Sequence, residues 1–435
     1  MAEDSFPLRP AIATSQLEQL RGLLAALIPA NPFYTQKFSR AGAPAAAASL
    51  EEFTQKYPFT TKQEIAEDQR ARGPYGTNLT FPLERYTRFH QTSGTTGEPL
   101  RWLDTPESWS WMVASWGEIL RAAGATTVDR VFFAFSFGPF IGFWLAYEAA
   151  QGVGCLCIPG GGLSSAARLR LMRDNRATIL CCTPTYALRL AEVAAEEKTD
   201  LRSFGLKTLI VAGEPGGSIP AVREQLEKLW PGARVFDHHG MTETGPVTHE
   251  CPKCPGVLHV LEPAYFAEVV DPASGRPVGA GQRGELVLTT LGRVGSPLLR
   301  YRTGDLVQPV FEPSTLDPQP CPCGRHTLAL EGGIVGRVDD MVIVRGVNIF
   351  PSAVEDIIRA GGEVAEYRVL VSRAHALAEM TVEIEPAPGC ANPADLVKRL
   401  ERSFQDAFAL RVPVRQQPPG TLPRFEMKAK RWVKL

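Results

Sequence analysis

A run of small residues has the chemistry of a phosphate-binding loop. Its members are Thr92, Ser93, Gly94, Thr95, Thr96 and Gly97. Glycines let backbone N–H groups approach phosphate oxygens closely, and hydroxyl groups donate further hydrogen bonds. The run is not a Walker A loop, because no Gly-Lys-Ser/Thr follows at the required spacing. A flexible surface loop is the alternative, so this motif alone does not decide the function.

Two carboxylates follow strand-like runs at positions suited to metal and sugar binding. Glu243, in the segment 239–244, follows a glycine turn and can ligate Mg²⁺, which prefers oxygen ligands and substrate phosphates. Asp305, in the segment 301–306, can accept hydrogen bonds from two vicinal ribose hydroxyls. An ordinary strand-to-loop turn is the alternative for the first segment, and a β-turn with Gly-Asp at its corner is the favoured interpretation of the second segment taken alone. A fourth motif, 336–351, is a polar linker followed by a strand and a turn.

Taken in this order, the four motifs resemble the acyl-adenylate-forming (ANL) superfamily of acyl-CoA synthetases, luciferases and peptide-synthetase adenylation domains. The stretch GRVDDMVIVRGVNIFPSAVE (336–355) and the tail LPRFEMKAKR (422–431) are similar to the phenylacetate-CoA ligase branch. The resemblance runs from about residue 50 to the C-terminus. It implies an AMP-forming ligase that converts a carboxylic acid and ATP to an acyl-adenylate and then transfers the acyl group to coenzyme A.

The resemblance also implies residue roles. Residues 92–97 would hold the triphosphate, Thr242 the α-phosphate and Glu243 the Mg²⁺ ion. The remaining nucleotide contacts would be Gly213, Glu214, Pro215, Asp237, His238, His239, Gly240, Met241, Asp305 and Arg337. Lys428 matches the C-terminal catalytic lysine, with Lys430 as the alternative. Asp339 would be the hinge about which the C-terminal domain rotates between the two half-reactions.

Two positions depart from the family pattern. Glu98 stands where the phosphate loop usually carries lysine, which removes a cation near the β- and γ-phosphates; Arg101 is the nearest substitute. His239 stands at the adenine-stacking position, where tyrosine is usual. Its imidazole can stack on adenine or contact the carboxylate substrate.

An uncharged, aromatic-rich run covers residues 131–147. It is barely long enough to cross a membrane and contains Gly138-Pro139, so a buried strand, a turn and a helix start are favoured. Most of its aromatic residues are expected to be core. The resemblance places Phe137 and Phe140, with Gly240 and His239, at the acyl pocket. An aromatic or small apolar acid is therefore favoured over a long fatty acid.

Four cysteines have the composition of a structural zinc site. They form two close pairs, Cys251 with Cys254 and Cys321 with Cys323. Thiolates and imidazoles bind Zn²⁺ tetrahedrally. The pattern in the phenylacetate-CoA ligase branch implies Cys251, His259, Cys321 and Cys323 as ligands, with Cys254 as the competing ligand.

The elements that must position these residues alternate between strand and helix from about residue 100 to 240. Helical patterns cover 106–123, 164–175 and 219–229, and strand patterns cover 130–135, 177–182 and 207–212. Such alternation indicates doubly wound parallel α/β sheets. We expect an N-terminal adenylation domain (1–335) that contains a small β subdomain with the zinc site (about 250–335). A hinge (336–340) and a small mobile α+β C-terminal domain (341–435) would follow.

Composition excludes several classes of function. The formal net charge of −1 argues against binding to nucleic acid or anionic membranes. The N-terminus lacks a secretory pattern, and the odd count of nine cysteines fits a reducing compartment, so a cytoplasmic location is expected. The resemblance also suggests a homodimer.

Three functions remain open. The first is an aryl-CoA ligase that uses ATP, Mg²⁺, coenzyme A and a structural Zn²⁺ ion. The second is an adenylating enzyme that loads the acid onto the phosphopantetheine thiol of an acyl carrier protein. The third is a non-enzymatic nucleotide-binding scaffold, which Glu98 alone encourages.

Overall fold

The structure is a computed structural model that describes residues 6–92, 98–312, 315, 319–345, 347–374, 377–425 and 429–435. The helices of this part are α1 (Arg9–Leu27), α2 (Pro32–Ala41), α3 (Leu50–Lys56), α4 (Lys62–Ala71), α5 (Pro106–Ala122), α6 (Ile141–Val153), α7 (Ser165–Asp174), α8 (Pro184–Glu196), α9 (Pro220–Leu229), α10 (Pro351–Arg359) and α11 (Pro393–Phe408).

The strands of the described residues are, in chain order, β1 (Arg88–Gln91), β2 (Arg101–Asp104), β3 (Arg130–Phe133), β4 (Leu156–Pro159), β5 (Ile179–Cys182), β6 (Thr208–Val211), β7 (Arg234–Asp237), β8 (Gly240–Met241), β9 (Gly245–Pro246), β10 (Thr248–Glu250), β11 (Val257–Val260), β12 (Tyr265–Val270), β13 (Gly284–Thr290), β14 (Tyr301–Val307), β15 (Ala329–Glu331), β16 (Gly336–Arg337), β17 (Val342–Val344), β18 (Val347–Ile349), β19 (Val364–Ala374), β20 (Leu377–Pro386), β21 (Val414–Gln416) and β22 (Trp432–Lys434).

Backbone contacts divide the chain into two compact units. Unit 1 comprises Met1–Gly161 and Asp237–Gly333, and unit 2 comprises Gly162–Phe236 and Ile334–Leu435. The break at residue 333 lies close to the sequence-derived boundary at 335. Residues 162–236, which the sequence analysis assigns to the N-terminal domain, are grouped with the C-terminal segment.

Unit 1 combines a parallel strand pair with antiparallel sheets. β3 and β4 are parallel. β12, β13 and β14 form an antiparallel meander, and β10, β11 and β15 pair antiparallel. One hydrophobic cluster buries Ile65 of α4, Trp102 of β2 and Tyr301 of β14, with Met241 packed against it. Because burial of apolar surface fixes these elements against one another, the residues that they carry are held in one region.

Unit 2 contains the parallel pair β5–β6 and a four-stranded sheet in the order β21-β20-β19-β22. α8 begins as the sequence predicts, because Pro184 occupies its first position and the Thr183 hydroxyl accepts the N–H of Tyr186. α10 and α11 bury apolar faces against the four-stranded sheet, with Val354, Ile358 and Phe404 in the shared core.

The aromatic run 131–147 forms the predicted strand, turn and helix start, since β3 ends at Phe133 and α6 begins at Ile141. Among the described helices, none combines the length and the apolar character needed to cross a bilayer.

Candidate functional site

In unit 1, β1 precedes and β2 follows the predicted phosphate loop in the sequence. β1 and β2 pair antiparallel, with Gln91 opposite Arg101. Thr92 donates its N–H to the Leu100 carbonyl at 2.9 Å, and Leu100 donates its N–H to the Thr92 hydroxyl at 2.9 Å. Residues 93–97, which include Ser93, Gly94, Thr95, Thr96 and Gly97, lie outside the described residues. Thr92 and Leu100, the stems of the loop, are thus held together by two hydrogen bonds, and the Thr92 side chain is buried.

A second hairpin presents Thr242 and Glu243. β8 and β9 pair so that Gly240 faces Pro246 and Met241 faces Gly245, which leaves 242–244 at the turn. Gly245 has φ +86°, and a Cβ there would lie 2.9 Å from the Met112 sulfur. Glycine is therefore required for this turn. The Glu243 side chain is largely buried, and its Oε1 lies 3.1 Å from Lys62 Nζ at the start of α4.

A buried ion pair fixes the backbone of this turn. Arg293 binds Asp104 through two hydrogen bonds of 2.7 Å each, and both side chains are fully buried. The same guanidinium donates to the carbonyls of Thr242 at 2.9 Å and Glu243 at 2.7 Å. A bidentate Arg–carboxylate pair with satisfied donors gives a defined geometry. Asp104 and Arg293 thereby connect β2, beside the phosphate loop, to the turn that carries Glu243.

Asp305 lies in a bulge of β14. The register between β13 and β14 shifts between Glu285 and Val287, so residues 303–305 lie opposite Leu286. A bulge re-aims a side chain out of the regular pleat. Asp305 is buried, and its Oδ2 lies 2.9 Å from Nε2 of His239. The imidazole that replaces the usual tyrosine therefore contacts the carboxylate that the resemblance assigns to ribose.

Asp237 and His238 precede His239 at the end of β7. The Asp237 N–H donates to Glu250 Oε2 at 3.1 Å, and His238 packs edge-on against Trp116 with ring centroids 4.5 Å apart. Burial lowers the pKa of His238 to about 3, so its imidazole is neutral at physiological pH.

The aromatic residues assigned to the acyl pocket pack on α6. Phe137 packs against Trp144 and Tyr147, with ring centroids 4.8 and 5.4 Å apart. Phe140 lies 6.0 Å from Phe143, centroid to centroid. α6 lies beside β8 and β9, and the Pro139 carbonyl accepts the Gln91 N–H at 2.8 Å. The aromatic run, the stems of the phosphate loop and the β8–β9 hairpin are therefore neighbours within unit 1.

The two departures from the family pattern have different surroundings. Glu98 is exposed, as is Arg101. The Arg101 guanidinium donates to the Pro74 carbonyl at 3.0 Å, an interaction that would have to break for it to reach phosphate.

Several predicted residues belong to unit 2. Gly213 has φ +93° at the end of β6, and Pro215 is exposed. Glu214 accepts hydrogen bonds from the backbone N–H groups of Thr185 and Ala429.

Arg337 and Asp339, the predicted nucleotide contact and hinge, form a bidentate pair at 2.9 and 3.2 Å. Lys428, the predicted catalytic lysine, lies outside the described residues, and the alternative Lys430 is exposed.

A separate cluster in unit 1 has the composition of a zinc site. The ligand atoms of Cys251, His259, Cys321 and Cys323 all lie within 4.8 Å of one another. The His259 Nδ1 lies 3.0 Å from the Thr327 hydroxyl, so its Nε2 faces Cys323 Sγ at 3.4 Å.

The backbone also contributes to this cluster. The N–H groups of Lys253 and Cys254 donate to the Cys251 sulfur at 3.4 and 3.3 Å. Burial alone raises the pKa of Cys251, but these and other hydrogen bonds outweigh it and lower the pKa below its usual value. The competing ligand Cys254 is not a member of this group of four, although its thiol hydrogen-bonds with the sulfurs of Cys251 and Cys321.

Three residues of the site carry no sequence signal that identified them. Asp104, Arg293 and Lys62 lie far from Glu243 in sequence, and no motif includes them. An aspartate that ends the apolar strand β2 is a weak hint, because a buried carboxylate requires a partner. Nothing in the spacing names Arg293 as that partner, since it lies 189 residues away.

Comparison with known proteins identifies the family. Residues 88–292 match the family model described as AMP-binding enzyme, and residues 346–434 match AMP-binding enzyme C-terminal domain. A phenylacetate-coenzyme A ligase of Pseudomonas putida is 31% identical over 431 residues, which cover 96% of this chain and 93% of the relative. A phenylacetate-coenzyme A ligase of Thermus thermophilus is 32% identical over 439 residues, with coverage of 96% and 95%.

Solved structures give the same result. A 2-hydroxyisobutyryl-CoA ligase in the postadenylation state, in complex with 2-HIB-AMP, has a TM-score of 0.91 at 29% identity. The aligned region covers 99% of this chain and 90% of the chain of that ligase. The same ligase with 2-HIB-AMP and CoA in the thioesterification state has a TM-score of 0.72 at 30% identity, with coverage of 97% and 89%.

The chain therefore belongs to the AMP-binding enzymes, in the group that includes the phenylacetate-coenzyme A ligases. It is an acid–thiol ligase that uses ATP and coenzyme A and forms AMP. The resemblance carried by the motifs is confirmed, and so is the α/β fold class predicted from the alternation of strands and helices.

Proposed function

We propose that this enzyme activates a small aromatic carboxylic acid as its acyl-adenylate and transfers the acyl group to coenzyme A. The observation that carries the proposal is the convergence within unit 1. The stems of the phosphate loop, the Glu243 turn, the bulge with Asp305 and the aromatic run are joined by direct contacts.

In the first half-reaction, a carboxylate oxygen of the acid attacks the α-phosphorus of ATP, and the bond to pyrophosphate breaks. The residues around the phosphates act mainly by positioning and by charge stabilisation. Residues 92–97 and Thr242 would bind phosphate oxygens, and Lys428 would supply a cation. In the second half-reaction, the thiolate of coenzyme A attacks the acyl carbon and AMP leaves.

Glu243 suits a Mg²⁺ ion, because its largely buried carboxylate lies at a turn whose backbone is held by Arg293. Oxygen ligands of this kind are those that Mg²⁺ prefers. The ion would neutralise charge on the phosphates when bound. Asp305 would accept the ribose hydroxyls, and His239, beside it, would turn toward the adenine or the acid.

The C-terminal domain would rotate about Asp339 between the half-reactions, with residues 1–335 as the adenylation domain and 341–435 as the mobile domain. In this proposal the Arg337–Asp339 pair would have to break or move with the rotation. A homodimer, suggested by the same resemblance, is tested by light scattering.

Two observations support an aromatic acid as the substrate. Aromatic side chains pack around Phe137, and the relatives in Pseudomonas putida and Thermus thermophilus are named phenylacetate-coenzyme A ligases. The test is a panel of acids in acid-dependent ATP–pyrophosphate exchange. We expect benzoate, 2-aminobenzoate or phenylacetate to give a higher kcat/KM than 2-hydroxyisobutyrate or a long-chain fatty acid. A preference for either aliphatic class would contradict the proposal.

AMP release with coenzyme A, compared with release in the presence of a carrier protein, distinguishes the two thiol acceptors.

We further propose that Cys251, His259, Cys321 and Cys323 bind a structural zinc ion. Thiolates and an imidazole at this separation need only small adjustments to reach tetrahedral geometry. The proposed ion would crosslink Cys251, which directly follows β10, to β11 and the segment 321–323. Because protein ligands would fill all four coordination positions, none would remain open for water or substrate, so the role would be structural.

Replacing Cys321 with serine should remove zinc and lower the melting temperature by about 5 °C or more, because the crosslink is lost. Cys254→Ser is the matched control, since this neighbouring cysteine is not one of the four proposed ligands. It should retain stoichiometric zinc and melt like the wild type. Zinc content and thermal unfolding measure both effects. Equal loss of zinc in the two variants would assign Cys254 as a ligand.

A further inference from the structure

A single carboxylate of unit 1 holds the bulge that carries Asp305. Glu285 lies on β13, and its Oε1 accepts the N–H of Gly304 at 3.0 Å. Its Oε2 accepts hydrogen bonds from Nε of Arg302, at 2.8 Å, and from Nη2 of the same guanidinium. Arg302 also donates to the Pro272 carbonyl at 2.7 Å. The carboxylate therefore binds the bulge at residues 302 and 304, immediately before Asp305.

A hydroxyl inside the bulge completes the arrangement. Thr303 donates its hydroxyl to the Leu286 carbonyl at 2.7 Å, and the same oxygen accepts the N–H of Asp305 at 3.0 Å. Between these two residues, Gly304 has φ +78°, a conformation that residues with a Cβ rarely adopt. A bulge interrupts the regular ladder of backbone hydrogen bonds. Here the N–H groups of Gly304 and Asp305 each have a side-chain acceptor instead.

Glu285 differs from another buried carboxylate of the same sheet. Glu268, on the neighbouring strand β12, uses both oxygens for Arg300, at 2.9 and 2.7 Å. A buried charge is costly unless it is paired, and an arginine alone meets that need at Glu268. Glu285 uses one oxygen for its arginine and the other for the backbone of the bulge. Its role thus includes shaping the bulge, in addition to pairing with a guanidinium.

We propose that Glu285 and Thr303 are positioning residues for ribose recognition, which set the place of the Asp305 carboxylate through the backbone of the bulge. The inference rests on the proposed function, in which Asp305 accepts hydrogen bonds from the ribose hydroxyls. In this proposal both residues act through Asp305 and not through the nucleotide. A contact that is equally strong in the ground state and the transition state affects the KM for the nucleotide and leaves kcat nearly unchanged.

The experiment measures thioester formation with coenzyme A and the best acid of the panel, with ATP, 2′-deoxy-ATP or 3′-deoxy-ATP as the nucleotide. A carboxylate that accepts from both hydroxyls predicts that the wild type prefers ATP over either analogue by about 10- to 100-fold in kcat/KM. Glu285→Ala and Thr303→Val should each raise the KM for ATP and reduce this preference by at least about 5-fold. The kcat at saturating ATP should change by less than about 3-fold.

The matched control is Glu268→Ala, which removes a buried carboxylate from the same sheet and breaks no hydrogen bond of the bulge. It should retain the wild-type preference, because a loss of folded enzyme lowers the rates with all three nucleotides equally. Thr303→Val removes only the hydroxyl contacts, so it tests the bulge even where Glu285→Ala does not fold. Wild-type preference in both bulge variants, or an equal reduction in Glu268→Ala, would overturn the inference.

Asp305→Ala distinguishes failure of the inference from failure of the proposed function. If Asp305→Ala loses the preference for ATP while Glu285→Ala and Thr303→Val retain it, the inference alone fails. If Asp305→Ala retains the wild-type preference, or the wild type has none, the ribose role of Asp305 fails and the inference fails with it.

Discussion

We expect Glu243→Gln to slow acid-dependent ATP–pyrophosphate exchange by about 100- to 1000-fold, the scale seen when one group that stabilises developing charge is lost. The amide keeps the shape of the side chain but loses the charge that would bind Mg²⁺ in the proposed site. The turn should stay in place, because Arg293 binds the backbone carbonyl of residue 243 and not its side chain. The Mg²⁺ concentration that gives the half-maximal rate should also rise.

Stability should be nearly unchanged in this variant. Lys62, the partner of Glu243, has a side chain that is 48% exposed, and such pairs contribute about 0–1 kcal/mol. Glu331→Gln is the matched control, since it removes the same charge from an exposed position of unit 1. It should leave exchange and Mg²⁺ dependence unaltered. An active Glu243→Gln enzyme with wild-type Mg²⁺ dependence would remove the proposed role of this carboxylate.

Arg293→Met is expected to lower the free energy of unfolding by about 3–5 kcal/mol, because it leaves Asp104 as an uncompensated buried charge. It should also slow adenylation, since the carbonyls of Thr242 and Glu243 lose their donor. Urea unfolding and exchange kinetics measure the two effects. Arg121→Met, which breaks an exposed pair with Glu118, should change stability by less than about 1 kcal/mol.

The double variant Asp104→Leu/Arg293→Met separates stability from activity. With both charges removed, no unpaired ion remains, so part of the lost stability should return. Adenylation should stay slow, because nothing replaces the hydrogen bonds to the turn. Full activity in the double variant would mean that the ion pair contributes only to folding.

Local signals in the sequence predicted the elements well. The helix pattern at 106–123 corresponds to α5 (Pro106–Ala122), and the Thr183-Pro184 signal corresponds to the start of α8. Each depends on a few neighbouring residues, such as a cap, a proline or a hydrophobic period. The uncharged run 131–147 was also interpreted correctly, because Gly138-Pro139 interrupts any continuous helix.

Contacts between residues far apart in the chain could not be predicted from local sequence patterns. Asp104 and Arg293, and likewise Thr185 and Arg431, are paired across 189 and 246 residues, and no local pattern specifies either pair. The contact between His239 and Asp305 depends on a bulge whose register follows from the partner strand. The cluster of Cys251, His259, Cys321 and Cys323 likewise depends on strand pairing, since His259 reaches it through the β10–β11 register.

The most direct test of the central claim is the fate of carboxylate oxygen. The enzyme is given ATP, coenzyme A and the acid labelled with ¹⁸O in its carboxylate. The products are separated, and their masses are measured by mass spectrometry. Attack on the α-phosphorus predicts that one labelled oxygen appears in AMP, because thiol attack at the acyl carbon leaves the bridging oxygen on phosphorus. Label in pyrophosphate or inorganic phosphate, or unlabelled AMP beside the thioester, would contradict activation as an acyl-adenylate.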